Sequence, residues 1–124
     1  GIPAYFLRKM KEIQKYSENA LSTAFEEGLK IGSRSDVVGS GQPYQTLEIE
    51  LKARVMGPMR AILCTTRDNA ELMGMSDRVG TVETGKYGDF ILVDGDPLKD
   101  VRIFQHRDKI LAIVQGGRFI KKSL

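Results

Sequence analysis

Two side chains stand out as candidates for chemistry, Cys64 and His106, together with the Gly39-Ser40-Gly41 stretch that could cradle a phosphate. Cys64 is the sole cysteine and His106 the sole histidine. A cysteine nucleophile needs a base to take its proton, and His106 lies far along the chain in the polar turn Gln105-His106-Arg107-Asp108. Cys64 instead belongs to the apolar run Ala61-Ile62-Leu63-Cys64, so it is expected as a small buried hydrophobe. Gly39-Ser40-Gly41 is followed by no Lys-Ser/Thr and lacks a strand-to-helix setting, so a loop is expected there.

Composition narrows the classes. A chain of 124 residues suits one modest domain, whereas a complete barrel enzyme takes roughly 250 residues. The net charge of +3 is small and both signs are mixed along the chain. No basic stripe with interleaved aromatics is present, so a nucleic-acid partner is not expected. Lys121-Lys122 reads as a solvated tail. A lone cysteine forms no internal disulfide, and neither a signal peptide nor an apolar run of membrane-spanning length is seen. The expectation is a cytoplasmic protein with no membrane partner.

Chemistry needs positioning, and the chain supplies a helical half and a β half that meet near residues 76–80. Pro3 suits a first helical turn, and Phe6, Met10, Ile13, Ala20, Leu21, Ala24 and Phe25 recur at three- and four-residue spacing until Gly28 ends the helix. Residues 29–32 suit a short buried strand, and a Gly- and Ser-rich loop occupies 33–44. Over residues 46–55 two patterns compete. Leu47, Ile49, Leu51, Ala53 and Val55 alternate with charges as in a strand, while Glu48/Lys52 and Glu50/Arg54 are helix-type i,i+4 pairs. Pro58 opens a further helix that Gly74 closes, with Met59, Ile62, Leu63, Thr66, Ala70 and Met73 on one side. Met56, Met59, Met73 and Met75 read as core filling. Beyond Gly80, Phe90-Ile91-Leu92-Val93 reads as a buried strand ended by Gly95 and Asp96-Pro97. A second strand covers 110–114, Gly116-Gly117 makes a tight hairpin, and Arg118-Phe119-Ile120 returns.

Several stretches resemble the amidohydrolase superfamily. Asn69-Ala70-Glu71-Leu72-Met73-Gly74-Met75 is similar to the family's N-A-A-x-L-L-G-L helix end. Residues 79–98, from Val79-Gly80-Thr81 through Gly85-Lys86-Tyr87-Gly88-Asp89 to Asp94-Gly95-Asp96-Pro97-Leu98, are similar to G-T-I-x-x-G-K-x-A-D-L-V-V-x-D-G-D-P-L. Met56-Gly57-Pro58-Met59-Arg60-Ala61-Ile62 resembles G-M-T-P-M-E-A-I. The stretch from Glu27-Gly28 to Ser35-Asp36 resembles the eighth-strand pattern A-G-V-x-I-x-x-G-T-D. Ile113-Val114-Gln115-Gly116-Gly117-Arg118 looks like the last strand and turn. The opening and the long helix look most like the imidazolonepropionase and zinc-dependent prolidase or carboxypeptidase branch. The matches cover the chain in order, and the ordered set is far more specific than any single motif.

The resemblance implies an α/β fold. This would be a C-terminal fragment of a (β/α)8 amidohydrolase barrel, with a long helix, the last barrel strand and two helices over residues 1–78, followed by part of a small composite β-sandwich over 79–124. The resemblance on this basis also settles 46–55 as helix. It places the family's metal-binding, general-base aspartate at Asp36, and zinc or another divalent metal in the complete enzyme. The other family ligands, an H-x-H pair, a bridging lysine or carboxylate and two further histidines, are expected from segments upstream of this chain. The implied function is hydrolysis of C–N bonds in cyclic amides or dipeptide-like substrates, with this chain inactive and metal-free alone. The alternative is a non-catalytic, self-associating binding or assembly module. Either way, unpaired strand edges are expected to make homo-oligomers. Three departures stand out: Arg34-Ser35 where the family has Gly-Thr, Gly57 for Thr, and Gly88 for Ala.

Overall fold

The computed structural model describes residues 4–35 and 45–123. They fall into two compact units, Gly1–Lys30 and Ile31–Leu124. The first unit is one helix, α1 (Ala4–Glu26). Gly28, at φ +69°, reverses the chain, and the N–H of Leu29 donates to the Ala24 carbonyl at 3.0 Å. The side chains of Phe6 and Met10 lie outside the description. Of the remaining apolar stripe, Leu21, Ala24 and Phe25 are half-buried, whereas Ile13 is exposed.

In the second unit, residues 31–35 form neither helix nor strand. The strand expected over 29–32 does not form: Leu29 is exposed, and among the described residues no strand pairs with the segment. The Gly- and Ser-rich loop beyond residue 35, Gly39-Ser40-Gly41 included, lies outside the described residues until Gln45.

Residues 46–55 resolve as helix α2 (Leu47–Met56). Its two i,i+4 pairs are both made, Lys52 to Glu48 and Arg54 Nη2 to Glu50 Oε1 at 2.6 Å. Gly57 then closes α2 and opens α3 (Pro58–Thr65). Its N–H donates to Ala53 O at 2.9 Å, and its own carbonyl accepts from Ala61 N–H at 3.1 Å. At φ +81° and ψ 160° it occupies backbone space essentially reserved for glycine.

The single helix expected after Pro58 is two. Thr66, at φ −115° and ψ −90°, separates α3 from α4 (Arg67–Leu72), and its hydroxyl donates back to Ile62 O at 2.8 Å. This break moves the buried face onto Ala61, Cys64, Asp68 and Ala70, while Met59 and Met73 are exposed rather than filling core. Met56 is buried as expected. Gly80 carries the connection past α4 so closely that a Cβ there would lie 2.6 Å from the Ala70 Cβ.

The β region is an antiparallel sheet of β1 (Phe90–Val93), β2 (Ile110–Gln115) and β3 (Arg118–Lys122) in the order β1-β2-β3. Phe90 faces Val114 and Ile91 faces Ile113 across β1–β2, and Val114 faces Phe119 across β2–β3. Gly116 and Gly117 make the hairpin with φ of +56° and +75°. Ala112 and Val114 on the central strand are buried, but Phe90, Ile91 and Leu92 are each nearly half exposed. The β1 run is thus an outer strand, not a covered one. Lys121 and Lys122 are strand residues rather than a free tail. Lys121 Nζ donates to Arg107 O at 2.5 Å, and Lys122 sits over the Phe119 ring.

Helices and sheet meet through Ile49, Ala61 and Val101, with Ala53, Ile62 and Phe104 packed around them. Val101 and Phe104 come from a 3-10 turn (Val101–Gln105) that bridges β1 and β2. Among the described residues no helix is long and apolar enough to cross a membrane.

Candidate functional site

The segment that leads towards Asp36 is held by side chains from two helices. Asn69, on α4, grips the Ser33 peptide twice. The Ser33 N–H donates to Asn69 Oδ1 at 2.7 Å, and Asn69 Nδ2 donates to Ser33 O at 2.8 Å. From α2, Glu48 Oε1 accepts the Arg34 N–H at 3.0 Å. The same carboxylate oxygen takes the Lys52 ammonium, which also reaches Ser33 Oγ at 3.4 Å. Lys52 is buried among these partners. Its charge is neutralised by Glu48, as a buried ammonium requires. Gly32 completes the contact, since a Cβ at that position would lie 2.7 Å from Asn69 Oδ1 and 2.8 Å from Leu72 Cδ1.

Asp36, the aspartate singled out from the sequence, lies outside the described residues. Gly32, Ser33 and Arg34, which precede it by four, three and two residues, lie at an open depression they share with Glu48, Asn69 and Met73.

Cys64 and His106 are not brought together. Cys64 is fully buried, with its thiol 3.6 Å from Met56 Sδ, and burial pushes its pKa up. That is the environment of an inert core thiol. His106 is exposed between two 3-10 turns, beside a shallow depression that also takes in Asp94, Asp96 and Asp100. All three carboxylates face cations, Asp96 more loosely, with Lys99 at 4.0 Å. Asp94 holds Lys109 at 2.8 Å, and Asp100 is gripped by Arg102 through Nε at 2.8 Å and Nη2 at 2.7 Å. The Arg102 hydrogen bonds hold the Asp100 carboxyl down to about 2. Among the described residues no three His, Cys, Asp or Glu side chains converge to hold a metal ion. The donor set seen here does not fit a catalytic metal by itself.

Asp68 was not anticipated. It is 2% exposed and lies between Arg60 Nη2 at 2.9 Å and Arg67 Nη2 at 2.9 Å, joining the start of α3 to the start of α4. Nor was Asn69 anticipated as a clamp. Its partner Ser33 is 36 residues distant, and no local pattern announces such a contact.

The amidohydrolase family model matches residues 10–120. The imidazolonepropionase of Phocaeicola vulgatus is 32% identical over 63 residues, covering 51% of this chain and 15% of that protein. The ochratoxinase of Aspergillus niger is 23% identical over 114 residues, covering 91% of this chain and 24% of its own length. A prolidase crystallised with N-methylphosphonate-L-proline superposes with a TM-score of 0.87 at 26% identity, over 98% of this chain and 30% of that one. The chain thus spans less than a third of the length of each of these proteins. With the family model matched along nearly its whole length, the chain belongs to the amidohydrolase family.

Proposed function

We propose that this chain contributes the closing part of a hydrolase that cleaves C–N bonds in dipeptide-like or cyclic amide substrates. The observation that carries the reading is the superposition on the prolidase, which extends over 98% of the chain with a TM-score of 0.87. The similarity to an imidazolonepropionase supports the cyclic-amide side of the same class. In this reading residues 1–78 belong to the barrel and 79–124 to the composite β domain.

Asp36 is the residue proposed to do chemistry. A water attacking an amide carbonyl carbon must shed a proton as the new C–O bond forms, and a carboxylate within hydrogen-bond reach accepts it. The family's divalent metal, zinc or another, would need donors from outside this chain, and its site is not completed by the residues described here. A reducing, cytoplasmic setting suits the lone buried thiol. The edge strands β1 and β3 support a further part of the proposal, self-association through them.

The test supplies the remaining barrel segments of a prolidase-like relative, co-expressed or fused ahead of residue 1. Hydrolysis of an Xaa-Pro dipeptide and of an imidazolone amide is then followed. Expected is turnover that Asp36→Asn lowers by about 10²–10⁴-fold, the usual contribution of a positioned base. Turnover insensitive to that substitution would remove Asp36 from the chemistry.

A further inference from the structure

Three backbone polar groups in succession, the N–H and C=O of Ser33 and the N–H of Arg34, are taken by side chains from two different helices. Asn69 from α4 makes both bonds to Ser33, and Glu48 from α2 takes the next N–H, that of Arg34. A carboxamide alone among the small side chains offers an acceptor and a donor on one planar fork.

Gly32 gives a second, independent observation. Nothing about its backbone requires glycine, as it is not among the positive-φ positions. The space does: a methyl there would collide with the Asn69 carboxamide and with Leu72. The glycine and the asparagine are two halves of one contact.

We infer that Asn69 is a positioning residue. Together with Gly32 and Glu48 it anchors the backbone at Ser33 and Arg34, beginning three residues ahead of Asp36. The anchoring stands on the geometry alone; its effect on catalysis rests on the hydrolase reading above.

The test has two readouts. Amide hydrogen exchange of the 124-residue chain is compared for wild type, Asn69→Ala, Asn69→Asp, Gly32→Ala and the Gly32→Ala/Asn69→Ala double variant, with β2 amides as the internal standard. Expected is Ser33 exchange at least about tenfold faster in Asn69→Ala and in Gly32→Ala, with β2 unchanged, and no further acceleration in the double variant. Ser33 exchange that stays at the wild-type rate, or single effects that simply add, would overturn the clamp. Should Asn69→Ala fail to fold, Gly32→Ala decides, because it leaves the Asn69 side chain in the protein and displaces its carboxamide from Ser33 by the added methyl.

The second readout is kinetic, in the complemented hydrolase. Asn69→Asp should lower kcat by about ten- to a hundredfold, the scale of a misplaced catalytic group, with KM held within about twofold as expected when substrate binding is intact. An unchanged kcat beside accelerated Ser33 exchange would overturn the positioning role. If instead no turnover dependent on Asp36 is seen at all, the hydrolase reading fails, and the exchange result still upholds or rejects the clamp.

Discussion

At the scale of single residues, Asp68 is the side chain with most at stake. This carboxylate is 2% exposed and flanked by Arg60 and Arg67, each near 2.9 Å. Its Oδ2 receives the Arg60 charge but no well-directed hydrogen bond. Removing one member of a buried pair is costly chiefly because the partner charge is stranded. Both arginines here are partly open to water, which softens the loss. Asp68→Asn should therefore destabilise the chain by about 2 kcal/mol, read as a lower urea midpoint at unchanged slope. An unchanged midpoint would reduce the trio to a surface ornament. The burial of Cys64 was legible in the sequence, because its apolar neighbours specify it. The pairing of Asp68 with Arg60 was not, since eight residues separate them across a helix break that leaves no mark in the hydrophobic pattern. Asn69 belongs with Asp68: its motif was recognisable, but its partner, contributed by a distant segment, was not.

At the scale of elements, local chemistry decided most outcomes. α2 is a helix although its apolar residues alternate, because each i,i+4 ion pair is satisfied only at helical spacing. The Gly116-Gly117 hairpin follows from turn chemistry alone. What the sequence left hidden were features set by neighbours. Thr66 divides the helix after Pro58, and residues 29–32, apolar enough for a strand, find no pairing strand among the described residues. The apolar run of β1 signals a strand correctly, but its exposure depends on what covers it. Gly57 offers a sharp test of element junctions. The family's threonine at this position would add a capping hydroxyl, ordinarily worth about 1 kcal/mol. At φ +81° and ψ 160° that hydroxyl cannot be presented without forcing a β-branched residue into strained backbone. Gly57→Thr should lower stability by about 2 kcal/mol in chemical denaturation, and a stabilised variant would show that the α2–α3 junction relaxes freely.

At the scale of the whole molecule, family membership was legible because ordered motifs run through the chain, and the family match spans residues 10–120. The completeness of the site was legible only as a deficit of ligands. The sheet has the order β1-β2-β3, so among the described residues β1 and β3 each present one edge without a strand neighbour. Phe90, Leu92, Phe119 and Ile120 on these strands are all substantially exposed. Such edges recruit other chains. Sedimentation over a rising concentration series should show self-association of the wild-type chain, weakened when Ile120 is replaced by lysine. A monomer at every concentration would rule out association through the edges.

Whatever meets those edges will find them already phased. The hairpin between β2 and β3 is tied to the lead-in of β1, with Gly117 N–H donating to Gly88 O at 3.0 Å and Gly116 N–H to Asp89 Oδ1 at 2.6 Å. A Cβ at residue 88 would stand only 3.2 Å from the Gly117 backbone, so the two glycines mesh like adjoining teeth. Sliding β1 by one position would break both ties and turn its side chains to the opposite face. A newcomer strand is thus offered a single alignment to copy, which separates orderly docking from indiscriminate stacking.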